Sequence, residues 1–436
     1  MRRLCTIACL LLVAGAFGGP ALADEVPRLL TLDEAVRIAR ANQPQLRQAH
    51  AQTEAAAGHS DQIRAPLLPQ LGANASMLRS EIGNNFSTTT GPAGSMTTTS
   101  TPWVFTSGFN ANQLIFDFGQ TTSRWHAAQA QEESQRQTEQ ATTLQVILNV
   151  RSAYMGARAN KALVGVARET LENQNRHLAQ VQAFVEVGTR PEIDLAQARA
   201  DQATAELQLI NAQSNYGISR AQLRQAMGLG GTGDYEVSEQ MIEPVSGEDA
   251  TSDALIAQAL AARPEFHALE QQLRAQELTI RAVKGSFGPA LGLTANGTYR
   301  KSTWDTDSWV VSGGLSLQWP LIEGGLERGR LREGAATLDN LRAGVDLLRQ
   351  QITVEVEQAR LAVTSSKAAI VSADKALVNA RQRLRLAEAR YQTGVGNAIE
   401  LGDAQLAVTN AGVQKLQAEF QLGIARAQML KALGQT

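Results

Sequence analysis

Two hydrophobic periods alternate along this chain, and the alternation happens twice. Residues 31–43 carry apolar positions at helical spacing, Leu32, Ala35, Val36 and Ala39. Thr31 and Glu34 in front of them read as a capping box. This helix is predicted to run on through Pro44 to about Arg64. After a bend at Pro69 the period falls to two. Leu71, Ala73, Ala75 and Met77 alternate with Gly72, Asn74 and Ser76, and Trp103, Phe105, Phe109 and Ala111 alternate with Val104, Thr106, Gly108, Asn110 and Asn112. That pattern predicts two strands with one apolar and one small or polar face. Helical spacing then returns, and no proline interrupts it from Trp103 to Arg190. A helix from about Thr121 to Val187 would be roughly 100 Å long at 1.5 Å per residue.

The second half repeats the first. Pro264 stands for Pro44, Pro289 for Pro69 and Leu291 for Leu71. A helix to about Lys284 is followed by strand patterns over Leu291–Tyr299 and Trp309–Trp319, then a helix from about Leu326 to Thr393. Leu171, Leu178 and Val185 recur every seventh residue, as do Leu377, Leu384 and Tyr391; Ala198, Ala205 and Ala212 are matched by Ala404, Ala411 and Ala418. Heptads of large residues on one leg and alanine on the other predict closely packed coiled-coil hairpins. The duplication is plainest where these hairpins turn, at Phe184-Val-Glu-Val-Gly-Thr-Arg-Pro-Glu-Ile-Asp-Leu and Arg390-Tyr-Gln-Thr-Gly-Val-Gly-Asn-Ala-Ile-Glu-Leu. Gly188 and Gly394 supply the left-handed conformation of a helix C-cap, and Pro191 can open the next helix.

The expected organisation is a signal peptide over 1–23, a first repeat over 24–228, a linker over 229–250 and a second repeat over 251–436. Arg2 and Arg3, the apolar run Leu4 to Phe17 and Ala21-Leu-Ala23 carry the signal-peptide reading; the alternative is a cytoplasmic N-terminal helix. Cys5 and Cys9 are the chain's two cysteines and both fall in that segment, so the exported chain is expected to have neither disulfides nor thiol chemistry. No Cys stands at the cleavage point to take a lipid anchor, which favours secretion-type ducts. Beyond residue 23 no apolar run reaches transmembrane-helix length, so membrane insertion must use strands. The alternating strands fit a membrane barrel, with Tyr299, Trp304 and Trp309 at one end and Trp319 at the other as aromatic girdles. The alternative is a soluble hairpin pair packed on helices. The first hairpin loop, Asn84 to Thr101, is rich in Ser, Thr and Gly and is expected to face outward and to move. A net charge of −2 calls for no nucleic acid.

Helix, β-hairpin and long helical hairpin, all twice, with Ala226-Met-Gly228 and Ala432-Leu-Gly434 closing each copy, resembles the TolC family of outer-membrane efflux and type I secretion channels. Four strands cannot close a barrel alone, so the chain must oligomerise. The resemblance implies a homotrimer sharing one 12-stranded barrel in outer-membrane lipid, on a long periplasmic helical tunnel. It implies docking on a periplasmic adaptor and an inner-membrane transporter of ABC or RND type. The fold class expected is therefore mainly α with a membrane β-barrel part.

No catalytic constellation is visible. His50, His59, His126, His177 and His267 show no metal-ligand spacing, and no phosphate-loop motif or nucleophile elbow occurs. No enzyme activity, cofactor or metal is expected. By the resemblance, Glu400 and Asp403, with Asp194 in copy one, ring the periplasmic gate, and Tyr391 matches the family's gate tyrosine. The family's gate arginine appears here as Gly396, while Arg190 holds the equivalent place in copy one. Asp194 and Glu400 also suit the positive end of a helix dipole. Val187, Gly188, Thr189, Gly394, Val395 and Gly396 are the expected adaptor-docking tips. The rival readings are a periplasmic adaptor, which would carry one hairpin between small β-domains, and an exported helical enzyme.

Overall fold

The structure is a computed structural model that describes residues 29–79, 103–231, 235–302 and 307–436. The predicted signal peptide, the Ser/Thr-rich loop and Trp304 lie outside the described residues. In chain order the elements are β1 (Leu29–Leu30), α1 (Leu32–Asn42), α2 (Pro44–Arg64), β2 (Gln70–Arg79), β3 (Trp103–Phe116), α3 (Gln120–Glu186), α4 (Glu192–Met227), β4 (Glu236–Val237), α5 (Ser252–Ala262), α6 (Pro264–Gly285), β5 (Ala290–Ser302), β6 (Ser308–Gln318), α7 (Leu326–Gln392) and α8 (Ala398–Ala432). The long helices α3 and α7 have 67 residues each, close to the expected bounds. No described helix is long and apolar enough to cross a membrane.

One expectation fails in both copies. The helix predicted to run through Pro44 breaks there, and so does its twin at Pro264. Gln43 and Arg263 take extended backbone, with ψ of 119° and 121°. The proline ring disfavours helical geometry in the residue before it. Each break rests on the end of a long hairpin. Gln43 Nε2 donates to the Gln225 and Ala226 carbonyls of α4, and the buried Arg263 Nε donates to the Ala432 carbonyl of α8. Gly228 and Gly434 pass so close that a Cβ on them would lie 2.6 Å from Gln43 Cα and 2.8 Å from the Ala262 oxygen. Both glycines have positive φ, 72° and 70°. The Ala-Met-Gly and Ala-Leu-Gly endings are thus the seats of the two breaks.

The sheet order is β2-β3-β5-β6, all antiparallel. Register carries one face through all four strands. Ala73 lies opposite Phe109, Phe109 opposite Gly297 and Gly297 opposite Val311. The Phe109 ring fills the space over Gly297, leaving no room for a side chain there. Leu71, Met77, Trp309, Leu315 and Leu317 on that face are all exposed, whereas the opposite face carries Asn74, Thr106, Thr298 and Ser312. Among the described residues β2 and β6 each keep one edge unpaired. Sheet passes to the long helices through paired left-handed residues, Phe118 and Gly119 in copy one and Gly324 and Gly325 in copy two.

Among the described residues the helices pack around two large cores and a smaller cluster at the hairpin tips. In the first, Tyr154 is fully buried, and its hydroxyl donates toward the Leu30 and Ser238 carbonyls and lies 2.8 Å from Ser238 Oγ. This ties β1 and β4, a parallel pair, to α3. The second gathers Leu255, Phe266, Ile352, Val356, Met429 and Leu433. The connection after β4 is anchored there by Val245 and by Glu248, whose carboxylate takes both Arg426 and Lys367.

Candidate functional site

The site is the far end of the two long hairpins. At the first tip, the left-handed Gly188 (φ 74°) ends α3, and the Thr189 amide and hydroxyl both donate to the Phe184 carbonyl, at 2.9 and 2.8 Å. Pro191 is extended and α4 begins after it. At the second tip, Gly394 (φ 78°) ends α7, and the Val395 and Gly396 amides donate to the Arg390 carbonyl. Asn397 then caps α8 by accepting from the Glu400 amide at 2.7 Å. These bonds satisfy the carbonyls and amides that helix ends leave free.

Five of the six expected tip residues are open. Val187, Gly188, Thr189, Gly394 and Val395 are exposed. Gly396 is not. It is buried against the Arg390–Tyr391 backbone, with room for a Cβ only 3.0 Å from the Tyr391 nitrogen. It serves the turn rather than the surface.

The expected gate residues fall into two groups. Tyr391 is 2% exposed and packs with Ala387, Leu401 and Ala404 against Phe184. Arg190 from the other hairpin lies over its ring, 4.5 Å from the centroid, and His177 of α3 meets the ring edge-on at 5.7 Å. Tyr391 therefore joins the two copies. Its hydroxyl is buried with no partner among the described residues, and burial raises its pKa. Burial lowers the His177 pKa, with Asp201 and Asp194 opposing.

The acids separate. Glu400 lies in the first turn of α8 and turns to Arg390, 3.4 Å from Nε. Asp194 and Asp403 line one groove between α4 and α8, to which Glu400 does not contribute. Asn397, Arg390 and His177 were not among the residues expected from sequence. The Asn397-x-x-Glu400 spacing was a readable cap signal. His177 had none, because its role comes from a contact with a residue far along the chain.

Comparison with known proteins decides the class. The sequence profile of the family described as outer membrane efflux protein matches residues 35–229 and 255–435, one stretch per copy. The chain belongs to the outer membrane efflux protein family. It is 27% identical over 251 residues to the outer membrane efflux protein BepC of Brucella suis, covering 56% of this chain and 53% of that protein. It is 26% identical over 325 residues to the toluene efflux pump outer membrane protein TtgF of Pseudomonas putida, covering 73% and 66%. The chain thus spans between half and two thirds of the length of the curated relatives it matches. Its fold is that of the Campylobacter jejuni CmeC outer membrane channel, at TM-score 0.78 and 19% identity over 92% of this chain and 85% of that one. The rival adaptor reading falls, since this outer membrane efflux protein carries two hairpins and a doubled strand pair. Membership places it in the outer membrane.

Proposed function

We propose that three copies of this chain close one barrel and form a passive exit duct, through which an inner-membrane transporter of ABC or RND type and a periplasmic adaptor send substrates out of the cell. The observation that carries this is a four-stranded sheet with one apolar face and two unpaired edges, continuous with helices about 100 Å long. Unpaired backbone in lipid costs several kcal/mol per group, and closure with further copies removes it.

The open tips support docking by the adaptor. Nothing lies within 4 Å of where a Cβ would sit on Gly188 or Gly394, so backbone is available to an approaching helix end. Tyr391, Arg190 and His177 hold the two hairpins together at the same level, and Asp403 with Asp194 lies beside them. We assign this level as the gate. The test is export by whole cells carrying Gly188→Trp with Gly394→Trp. Export should stop while the heat-modifiable trimer persists in outer-membrane fractions. Full export by that double variant would rule out docking through the tips.

A further inference from the structure

His177 stands where the two repeats meet. It belongs to α3, in the first hairpin, and its ring meets that of Tyr391 on α7, in the second, at 5.7 Å between centroids. Arg190 lies over the same Tyr391 ring, 4.5 Å from its centroid. One cation over a tyrosine ring is favourable. A second beside it, in a half-buried place, would meet repulsion from Arg190 and lose its water. The contact with Tyr391 therefore suits the neutral imidazole.

The charged groups at this level decide what an imidazolium would meet instead. From α4, Asp194 and Asp201 both favour a charge on His177. They are two turns apart on one helix, and Gln197 holds Asp201 with a hydrogen bond of 2.9 Å. On α8, Asp403 lines the same groove as these two acids, whereas Glu400 is paired with Arg390 of α7. Of the other cations, Arg176 on α3 donates to Asn173, and Arg381 on α7 lies in the neighbouring groove with Lys415. The acids that act on His177 are thus on α4, in its own hairpin, while its aromatic partner is in the other hairpin.

We propose that His177 is an acid-released latch between the hairpin tips. Neutral, it clasps Tyr391 and keeps the second hairpin against the first; protonated, it turns to Asp194 and Asp201 and lets the second hairpin go. That this release opens a way into a tunnel rests on the duct reading. Burial, against the pull of Asp201 and Asp194, holds the folded pKa of His177 below its ordinary value of about 6.5. The clasp is therefore complete above that value and is lost as pH falls through the folded one. An exported protein meets the pH of its surroundings, which is where a histidine switch operates.

The test records the full-length trimer in planar bilayers at fixed salt, at about pH 7.5 and about pH 5. Open probability should rise a few-fold in acid, the size of one ring contact. His177→Phe keeps a ring but takes no proton, so its open probability should not change with pH. His177→Lys is charged at both values and should already be open at the higher one. Asp194→Asn with Asp201→Asn removes the acids that receive the imidazolium and should move the rise to lower pH. Migration of each variant as an unheated trimer confirms assembly, and His177→Leu replaces His177→Phe if that fails. An equal rise in His177→Phe, an unshifted rise in the double aspartate variant, or no rise in the unaltered chain overturns the proposal. Nitroxide labels on Val187→Cys and Val395→Cys, exposed residues of the two tips, read the same step without conduction. Distances between them should lengthen in acid, and not in His177→Phe. Lengthening without conduction leaves the latch and removes the duct, whereas conduction with unchanged tip distances leaves the duct and removes the latch.

Discussion

Gly188, Gly228 and Gly434 share a left-handed backbone but not a neighbourhood, and that difference can be measured. A left-handed conformation costs an L-residue about 1–2 kcal/mol. At Gly188 the space beyond is open, so Gly188→Ala should cost no more than that. At Gly228 and Gly434 the new methyl also strikes the backbone of Gln43 or Ala262, adding roughly 1–3 kcal/mol of overpacking. Thermal dissociation of the trimer should therefore fall clearly in Gly228→Ala and Gly434→Ala and little in Gly188→Ala. Equal effects at all three would mean the breaks are not seated on the hairpin ends. His177 gives a pH test. It is packed in its neutral form, so its folded pKa lies below the ordinary value of about 6.5. Its contribution is complete above that value and is lost as pH falls through the folded pKa. Hydrogen exchange at the tip amides should rise in acid, after correction for intrinsic rates, and His177→Phe should remove the dependence. The two expected gate acids should also differ. Asp403→Ala should weaken cation selectivity and block by multivalent ions, whereas Glu400, already tied to Arg390, should matter less. Single-channel recording separates them, and an equal loss in both would contradict the pairing.

The elements were legible where one residue period repeats often enough. Heptads such as Leu171, Leu178 and Val185 marked the coiled coils, and alternation over Leu291–Tyr299 marked a strand. What escaped was set by contacts across the chain. Pro44 and Pro264 were visible, yet that they break a helix depends on carbonyls of Gln225, Ala226 and Ala432 that receive Gln43 and Arg263. The two-residue pair of β1 and β4 is too short to show a period, and Tyr154 holds it from α3. Phe118 adopts the left-handed conformation that its counterpart Gly324 announces, held by ring contacts with Phe116 at a 4.8 Å centroid distance. In the candidate site the tip glycines and Tyr391 were readable, whereas the partners of Tyr391 were not. Arg263→Ala tests the element-scale account. It strips a hydrogen bond from the Ala432 carbonyl and another from Glu355, at 2.7 and 2.6 Å. About 2 kcal/mol should be lost, read as earlier denaturant unfolding of α8. No loss would show that the proline alone makes the break.

At the scale of the whole molecule, a single copy is incomplete. One face of the sheet is apolar and exposed, and α7 carries Leu347, Val354 and Leu361 exposed at seven-residue spacing, followed by Val371 and Val378 at the same interval. Such a stripe is the seam of a coiled coil that lacks its partner. We assign these surfaces to contact with neighbouring copies in the duct and with lipid around the barrel. The most direct test is planar-bilayer recording of the purified chain, comparing trimer with monomer. The trimer should insert and give stable conductance steps, and the monomer, with both sheet edges unpaired, should give none. Stable channels from the monomer would contradict the shared barrel and with it the account of this chain as one third of a duct.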